Sequence, residues 1–296
     1  MAEKSRLQHA GHGWLEHVEP LDTRRFMIAV RRLADTLGHG TDHSRFLGAG
    51  IEYVQSRPYV PGDPVRSIDW RVTARTARYH VKEFEAPKRM PAWLLLDTSA
   101  SMTVTSVRRS KYSMALHIAG GLAFACLDRV SPTGLLGTGE REIRVEPSLS
   151  RHQVMRWLLR LRSYRYDEDT ALARRILELN STLKNRALVI VLSDLHEPTS
   201  VGALRLMGQR HDVVVIQLQD PAEVTLHGAG FLRAREAETG RGFVTRGRHE
   251  RVDATLVRSA LRRGGIDHLL LRTDRPFLQQ LRHFFEARGL AARAAR

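Results

Sequence analysis

One cysteine, Cys126, stands among 296 residues. That excludes an internal disulfide framework and any zinc site built on several thiolates. It suits a reduced setting, so a cytoplasmic location is expected. Cys126 lies inside the apolar run GGLAFACLDRV, where it reads as a small core residue and not as a nucleophile. Long apolar stretches are missing too. ALVIVL and VVVI are strand-length, well short of the roughly 18 apolar residues of a membrane span. The first twenty residues hold no apolar core of a secretory signal, so none is expected. Enzyme and nucleotide signatures are equally scarce. The 14 histidines form no HExxH pair, there is no GxSxG elbow, and GTGERE and GAGIEY follow neither the dinucleotide nor the P-loop pattern. Lysine is rare: 42 of the 47 basic residues are arginine, spread without a run of five.

What is present is ordinary for a chain that buries a core: 42% hydrophobic and 27% charged residues, with a net charge of +15. Residues 1–37 form an N-terminal helical segment, with Phe26, Val30, Leu33 and Leu37 at helical spacing. Residues 38–90 form a β-rich lead-in packed on the main domain, with VPGDP as a turn and no amphipathic helix. Within it Arg66, Asp69, Trp70 and Arg75 cluster, which reads as an Arg–Asp pair with a tryptophan anchor pinning the lead-in to the main domain, the alternative being a partner-binding surface. From residue 91 to 296, continuous apolar strands alternate with helices, with a β-hairpin near 231–246. That order predicts an α/β fold, doubly wound around a mostly parallel sheet covered on both sides.

Two apolar strands end in aspartate, AWLLLD at Asp97 and ALVIVLSD at Asp194. In an open α/β sheet, function collects at the carboxyl edge of the strands. If these strands are neighbours, the two carboxylates meet there, at a position expected to be solvent-reachable. Ser99 and Ser101 follow Asp97 at every second residue, and Thr170 starts a helix between the two strands in sequence. Two carboxylates and three hydroxyls are all oxygen donors. Such a modest, hard set suits Mg²⁺ or Mn²⁺, which keep several waters. Two carboxylates neutralise a divalent ion and no more, which leaves attraction for one further anion, such as a partner's Asp or Glu.

The order Asp-x-Ser-x-Ser, then a distant Thr, then Asp after a later strand resembles the metal-ion-dependent adhesion site of von Willebrand factor A domains. The stretch RPYVPGDPVRSIDWRVTARTARYHVKEFEAPKRMPAWLLLDTSASM resembles the MoxR-associated bacterial family of unknown function numbered fifty-eight. The likeness covers about residues 38–290. It implies a von Willebrand A-like, Rossmann-like fold and a divalent metal on Asp97, Ser99, Ser101, Thr170 and Asp194. It also implies a MoxR-type AAA+ ATPase as partner in assembling, remodelling or activating a client protein, with no enzymatic reaction. Two positions depart from the family pattern: Pro64 replaces a second acid after PGD, and Asp169-Thr170-Ala171 lacks the usual preceding glycines. Two other functions compete. Net charge alone motivates nucleic-acid binding. A metal-dependent hydrolase is the third, although DTSAS lacks the second aspartate of aspartyl phosphotransferases.

Overall fold

A strand with one wet face alternates apolar and polar residues. Ala92–Leu96 and Leu188–Ser193 do not, and every residue of both is buried. A sheet covered on both faces accommodates such strands, and the computed structural model contains one. It describes residues 12–14, 52–63, 65–85, 90–165, 167–225, 232–235, 242–245 and 254–294. In chain order the elements are β1 (His12–Trp14), β2 (Glu52–Pro58), α1 (Trp70–Thr76), β3 (His80–Glu85), β4 (Ala92–Leu96), α2 (Lys111–Asp128), β5 (Thr133–Gly137) and β6 (Arg144–Ser148). Next come α3 (Arg151–Arg160), β7 (Ser163–Arg165), α4 (Leu172–Thr182), β8 (Leu188–Ser193), α5 (Ser200–Gly208), β9 (Asp212–Gln219) and α6 (Ala222–Thr225). The chain closes with β10 (Leu232–Arg235), β11 (Gly242–Thr245), α7 (Ala254–Arg263), β12 (Asp267–Arg272) and α8 (Leu278–Ala294).

Six strands form the main sheet in the order β12-β9-β8-β4-β5-β6. All neighbours run parallel except β6, which is antiparallel to β5. Side chains of β4 alternate between the two faces. Leu94 and Leu96 join the core formed with Met114, Ile118 and Leu122 of α2 and Leu281 of α8. Trp93 and Leu95 join the opposite core with Ile176 of α4, Leu204 of α5 and Leu261 of α7. Helix α2 is buried from Lys111 through Leu127, and a helix buried all round has no need of a polar face. The expected mixed α/β architecture with a mostly parallel sheet is therefore present.

Several details differ from the sequence reading. The lead-in holds an antiparallel β2–β3 pair and also a seven-residue helix, α1, where none was expected. Asp69 explains it. Its Oδ1 accepts from the backbone N–H of Arg71 and Val72 at 3.1 and 3.2 Å, and its Oδ2 accepts from Ser56 Oγ at 2.7 Å. A carboxylate that caps a helix satisfies otherwise orphaned amides, so Asp69 is a helix cap tied to β2; the side chain of Arg66, its expected partner, lies outside the described residues. Trp70 is 63% exposed and anchors nothing in the core. The bidentate Arg–Asp pair of the lead-in is Arg57–Asp63, with both bonds at 2.7 Å. Helix α7 escaped notice because two buried residues, Val257 and Leu261, carry its apolar face in an arginine-rich background. The run PFLQQLRHFFEAR reads as a last helix with Pro276 in its first turn, but Pro276 precedes α8 by two residues. The paired strands β10 and β11 match the expected hairpin, while its turn and the helix expected over 22–37 lie outside the described residues. Among the described residues no helix is long and apolar enough to cross a membrane.

One edge of the sheet carries a titratable group. His268 of β12 meets Gln217 Oε1 through its Nε2 at 3.0 Å. Burial, helped by the Arg258 guanidinium, lowers its pKa to about 4. A histidine depressed below its unfolded value contributes stability that is complete above about pH 6.5. That stability is lost as pH falls through about 4. Allowing for partial exposure, the contribution is about 2 kcal/mol. Denaturation midpoints followed from pH 7.5 to 4 should fall for the wild type and fall less for His268→Gln. Parallel curves for the two proteins would refute the assignment.

Candidate metal centre

Chain order and spatial order reverse between β4 and β8. After β4 the chain moves outward to β5 and β6, then returns to β8 on the other side and continues to β9 and β12. Such a switch point opens a crevice at the carboxyl ends of the two strands. The register pairs Leu96 with Leu192, and Asp97 N–H donates to the Leu192 carbonyl at 2.9 Å. Asp97 and Asp194 therefore leave adjacent strands at one edge. Thr138, Asp220 and Thr273 follow the neighbouring parallel strands at this edge.

Asp97 is 2% exposed, so the expected solvent-reachable carboxylate is buried. The cover is local: Ser193 Oγ donates to Asp97 Oδ2 at 2.5 Å and the Ser99 backbone N–H donates to Oδ1 at 3.0 Å. Ser193 Oγ also accepts from Leu195 N–H at 2.9 Å. That bond helps hold Leu195 in the left-handed region, at φ 58°, one residue past Asp194. Ser99 is fully buried, while Ser101 is half-buried with its hydroxyl 3.0 Å from that of Ser99. Burial and the nearby Asp194 charge push the Asp97 carboxyl up to about 6, against the pull of its serine hydrogen bonds. The carboxylate is thus held in a place short of positive charge.

Asp194 is placed differently. Burial works to raise its pKa, but the Lys111 ammonium, followed by His196, outweighs burial and holds the carboxyl far below its ordinary range. Lys111 Nζ, 1% exposed, donates to Asp194 Oδ2 at 2.8 Å and also to Glu223 Oε1. Burial would pull the lysine down, and Asp194 with Glu223 holds it up instead. His196 Nδ1 lies 3.2 Å from Asp194 Oδ2. Asp194, His196 and Glu223 offer ligand atoms within 4.8 Å of one another.

Thr170 enters through its backbone. It forms an isolated bridge with Gly139, and among the described residues its hydroxyl bonds none of Asp97, Ser99, Ser101 or Asp194. The residue that ties this loop to the site is Glu168, fully buried. Its Oε1 accepts from Thr98 Oγ1 at 2.9 Å and its Oε2 from Arg141 Nε at 2.6 Å, while its carbonyl accepts from Ala100 N–H at 2.7 Å. The sequence reading missed Ser193, Lys111, Glu168, His196 and Glu223. Lys111 left a signal, a charged residue opening a helix with no other Lys, Arg, Asp or Glu before Asp128, which calls for a counter-charge once it is buried.

The donor set fits a hard divalent cation. Asp97, Ser99 and Ser101 supply oxygens side by side, and the Asp97 carboxylate lacks a counter-charge. Lys111 and His196 lie against Asp194 and Glu223, which leaves Asp97, among the described residues, as the carboxylate of this group with no cation bonded to it.

A family model described as "Protein of unknown function DUF58" matches residues 55–264. Among curated proteins, the uncharacterized protein Rv1480 of Mycobacterium tuberculosis is 29% identical over 288 residues, spanning 92% of this chain and 90% of its own length. The uncharacterized protein Mb1516 of Mycobacterium bovis matches at the same identity and coverage. Among solved structures, the conserved hypothetical protein BatB from Bacteroides thetaiotaomicron aligns over 67% of this chain and 98% of its own, at 13% identity and a TM-score of 0.44.

Proposed function

We propose, from the premise that this chain belongs to the DUF58 family of proteins of unknown function, that it is a non-enzymatic, metal-dependent protein-interaction module. The observation that carries this reading is the meeting of Asp97 and Asp194 at the β4/β8 switch point, with Asp97 short of positive charge. Asp97, Ser99 and Ser101 are the residues that would hold Mg²⁺ or Mn²⁺, with Asp194 beside them. A bound ion would supply a Lewis-acidic position that a partner's Asp or Glu completes. Ser193 orients the Asp97 carboxylate through its 2.5 Å hydrogen bond. Glu168 pins the neighbouring loop, so the ligand geometry is held before any partner arrives. The resemblance to the MoxR-associated family numbered fifty-eight supports a MoxR-type AAA+ ATPase as partner and an unidentified client as the source of the acid.

Nucleic-acid binding is motivated by net charge alone. Among the described residues ten arginines, among them Arg141, Arg165, Arg272 and Arg288, lie within 4.0 Å of a carboxylate. Part of the basic charge is therefore met inside the molecule. The test is calorimetric titration with MnCl₂ of wild type and Asp97→Asn, followed by co-purification of partners with and without chelator. Wild type should bind one Mn²⁺ and Asp97→Asn should bind it about a hundredfold more weakly, since the ion loses its one uncompensated carboxylate. Partner capture should vanish with chelator. A wild-type protein indifferent to both Mn²⁺ and chelator would falsify the reading.

A further inference from the structure

Among the described residues Lys111 is the one cation in direct contact with an aspartate of this site while buried along its whole side chain, 1% exposed. Its backbone is fixed as the first residue of α2, whose N-cap Ser110 accepts from Ser113 N–H. Its arm reaches two carboxylates, Asp194 at 2.8 Å and Glu223. Lysine carries its charge as a compact ammonium on a flexible stem, so exchange between two nearby carboxylates needs no backbone movement.

Glu223 is well placed to receive it. It lies on α6, just past the end of β9, and is partly exposed. Its Oε2 accepts from the Asp220 N–H at 3.3 Å. Asp220 in turn accepts from the Ser106 N–H at 3.0 Å and from Thr273 Oγ1 at 3.4 Å. The segment that follows Ser101 and the segment that carries Glu223 are thus tied together across the site.

We propose that Lys111 is a built-in counter-ion that competes with the divalent cation for Asp194, with Glu223 as the position to which it withdraws; this rests on the metal-dependent reading above. In the metal-free protein the ammonium neutralises Asp194, so the buried edge stays intact without an ion. A divalent cation entering beside Asp97 meets a positive charge already bonded to the adjacent carboxylate, and that repulsion weakens binding. Lys111 therefore sets the affinity of the protein alone lower than its carboxylates would give, and a partner's acid that completes the shell raises it.

Mn²⁺ titration of five proteins tests it: wild type, Lys111→Met, Lys111→Arg, Glu223→Gln and the double variant Lys111→Met/Glu223→Gln, with folding checked by circular dichroism. Removing the competing charge should tighten Mn²⁺ binding at least about tenfold in Lys111→Met, while Lys111→Arg should not tighten it. Glu223→Gln should weaken binding about threefold to tenfold in the wild-type background and have no effect once Lys111 is Met, because no ammonium then needs a second position. Wild-type affinity in Lys111→Met, or an equal Glu223→Gln effect in both backgrounds, overturns the proposal and leaves the metal reading standing. If Lys111→Met does not fold, an unchanged affinity in Glu223→Gln overturns it. Silence of all five proteins toward Mn²⁺ overturns the metal reading and this inference with it.

Discussion

Asp194→Ala is expected to destabilise the protein by about 3–5 kcal/mol, the range seen when one partner of a buried ion pair is removed. The reason is Lys111. Its ammonium is buried and bonds Asp194 at 2.8 Å, so removal of that carboxylate strands a charge with Glu223 as its remaining carboxylate partner. Asp97→Asn, at the end of the adjacent strand, should leave the metal-free protein as stable as the wild type or more so. Burial and Asp194 raise the Asp97 pKa to about 6, above the unfolded value of about 3.9. For a carboxyl shifted in that direction, the folded state gains from protonation. The contribution is greatest below the unfolded pKa and is lost as pH rises through about 6, so at neutral pH the ionised group opposes folding. An amide carries no charge and still accepts the Ser193 hydroxyl. Urea denaturation at pH 7.5 in the presence of chelator measures both variants. Equal losses for the two would show that the asymmetry between the aspartates is not real.

Gly139→Ala is expected to lose about 3 kcal/mol or more, or to fail to fold, because the position is already filled. A methyl there would lie 2.2 Å from Glu168 Oε1 and 2.5 Å from Thr98 Oγ1. Neither neighbour can retreat. Glu168 is fully buried and held by Thr98, by Arg141 Nε and by the Arg141 backbone N–H at 3.1 Å. Gly202 of α5 is the internal comparison. A methyl there meets nothing within 4 Å, and Gly202→Ala should stabilise by about 0.5–1 kcal/mol through helix propensity alone. Thermal unfolding of the two variants should therefore move in opposite directions. A Gly139→Ala protein that melts with the wild type would mean that Glu168 is not locked against the loop.

The strands, most of the helices and the doubly wound order are written locally. Ala92–Leu96 is apolar throughout and Leu188–Ser193 at every position but the last, which speaks of burial on both faces without reference to any other segment. The aspartates that follow them mark the sheet edge for the same reason, since a charge ends a buried strand. Two local signals still misled. A short capped helix at Trp70 was hidden among β-branched and aromatic neighbours, and the two apolar residues that anchor α7 were too few to stand out from its arginines.

The chemistry of the edge was less legible because it depends on contacts between distant segments. Asp97 and Asp194 look alike in the sequence, each closing an apolar strand. What separates them is Lys111, 83 residues before Asp194 and 112 before Glu223, and Ser193, 96 residues after Asp97. Glu168 reaches Thr98 across 70 residues. Residue type and spacing announced that carboxylates and hydroxyls gather at one edge, because burial and strand ends follow from the local pattern. Which carboxylate is neutralised by an ammonium and which is left short of charge was decided by the tertiary structure, because a charge takes its energy from whatever lies within a few ångströms of it, however far away along the chain.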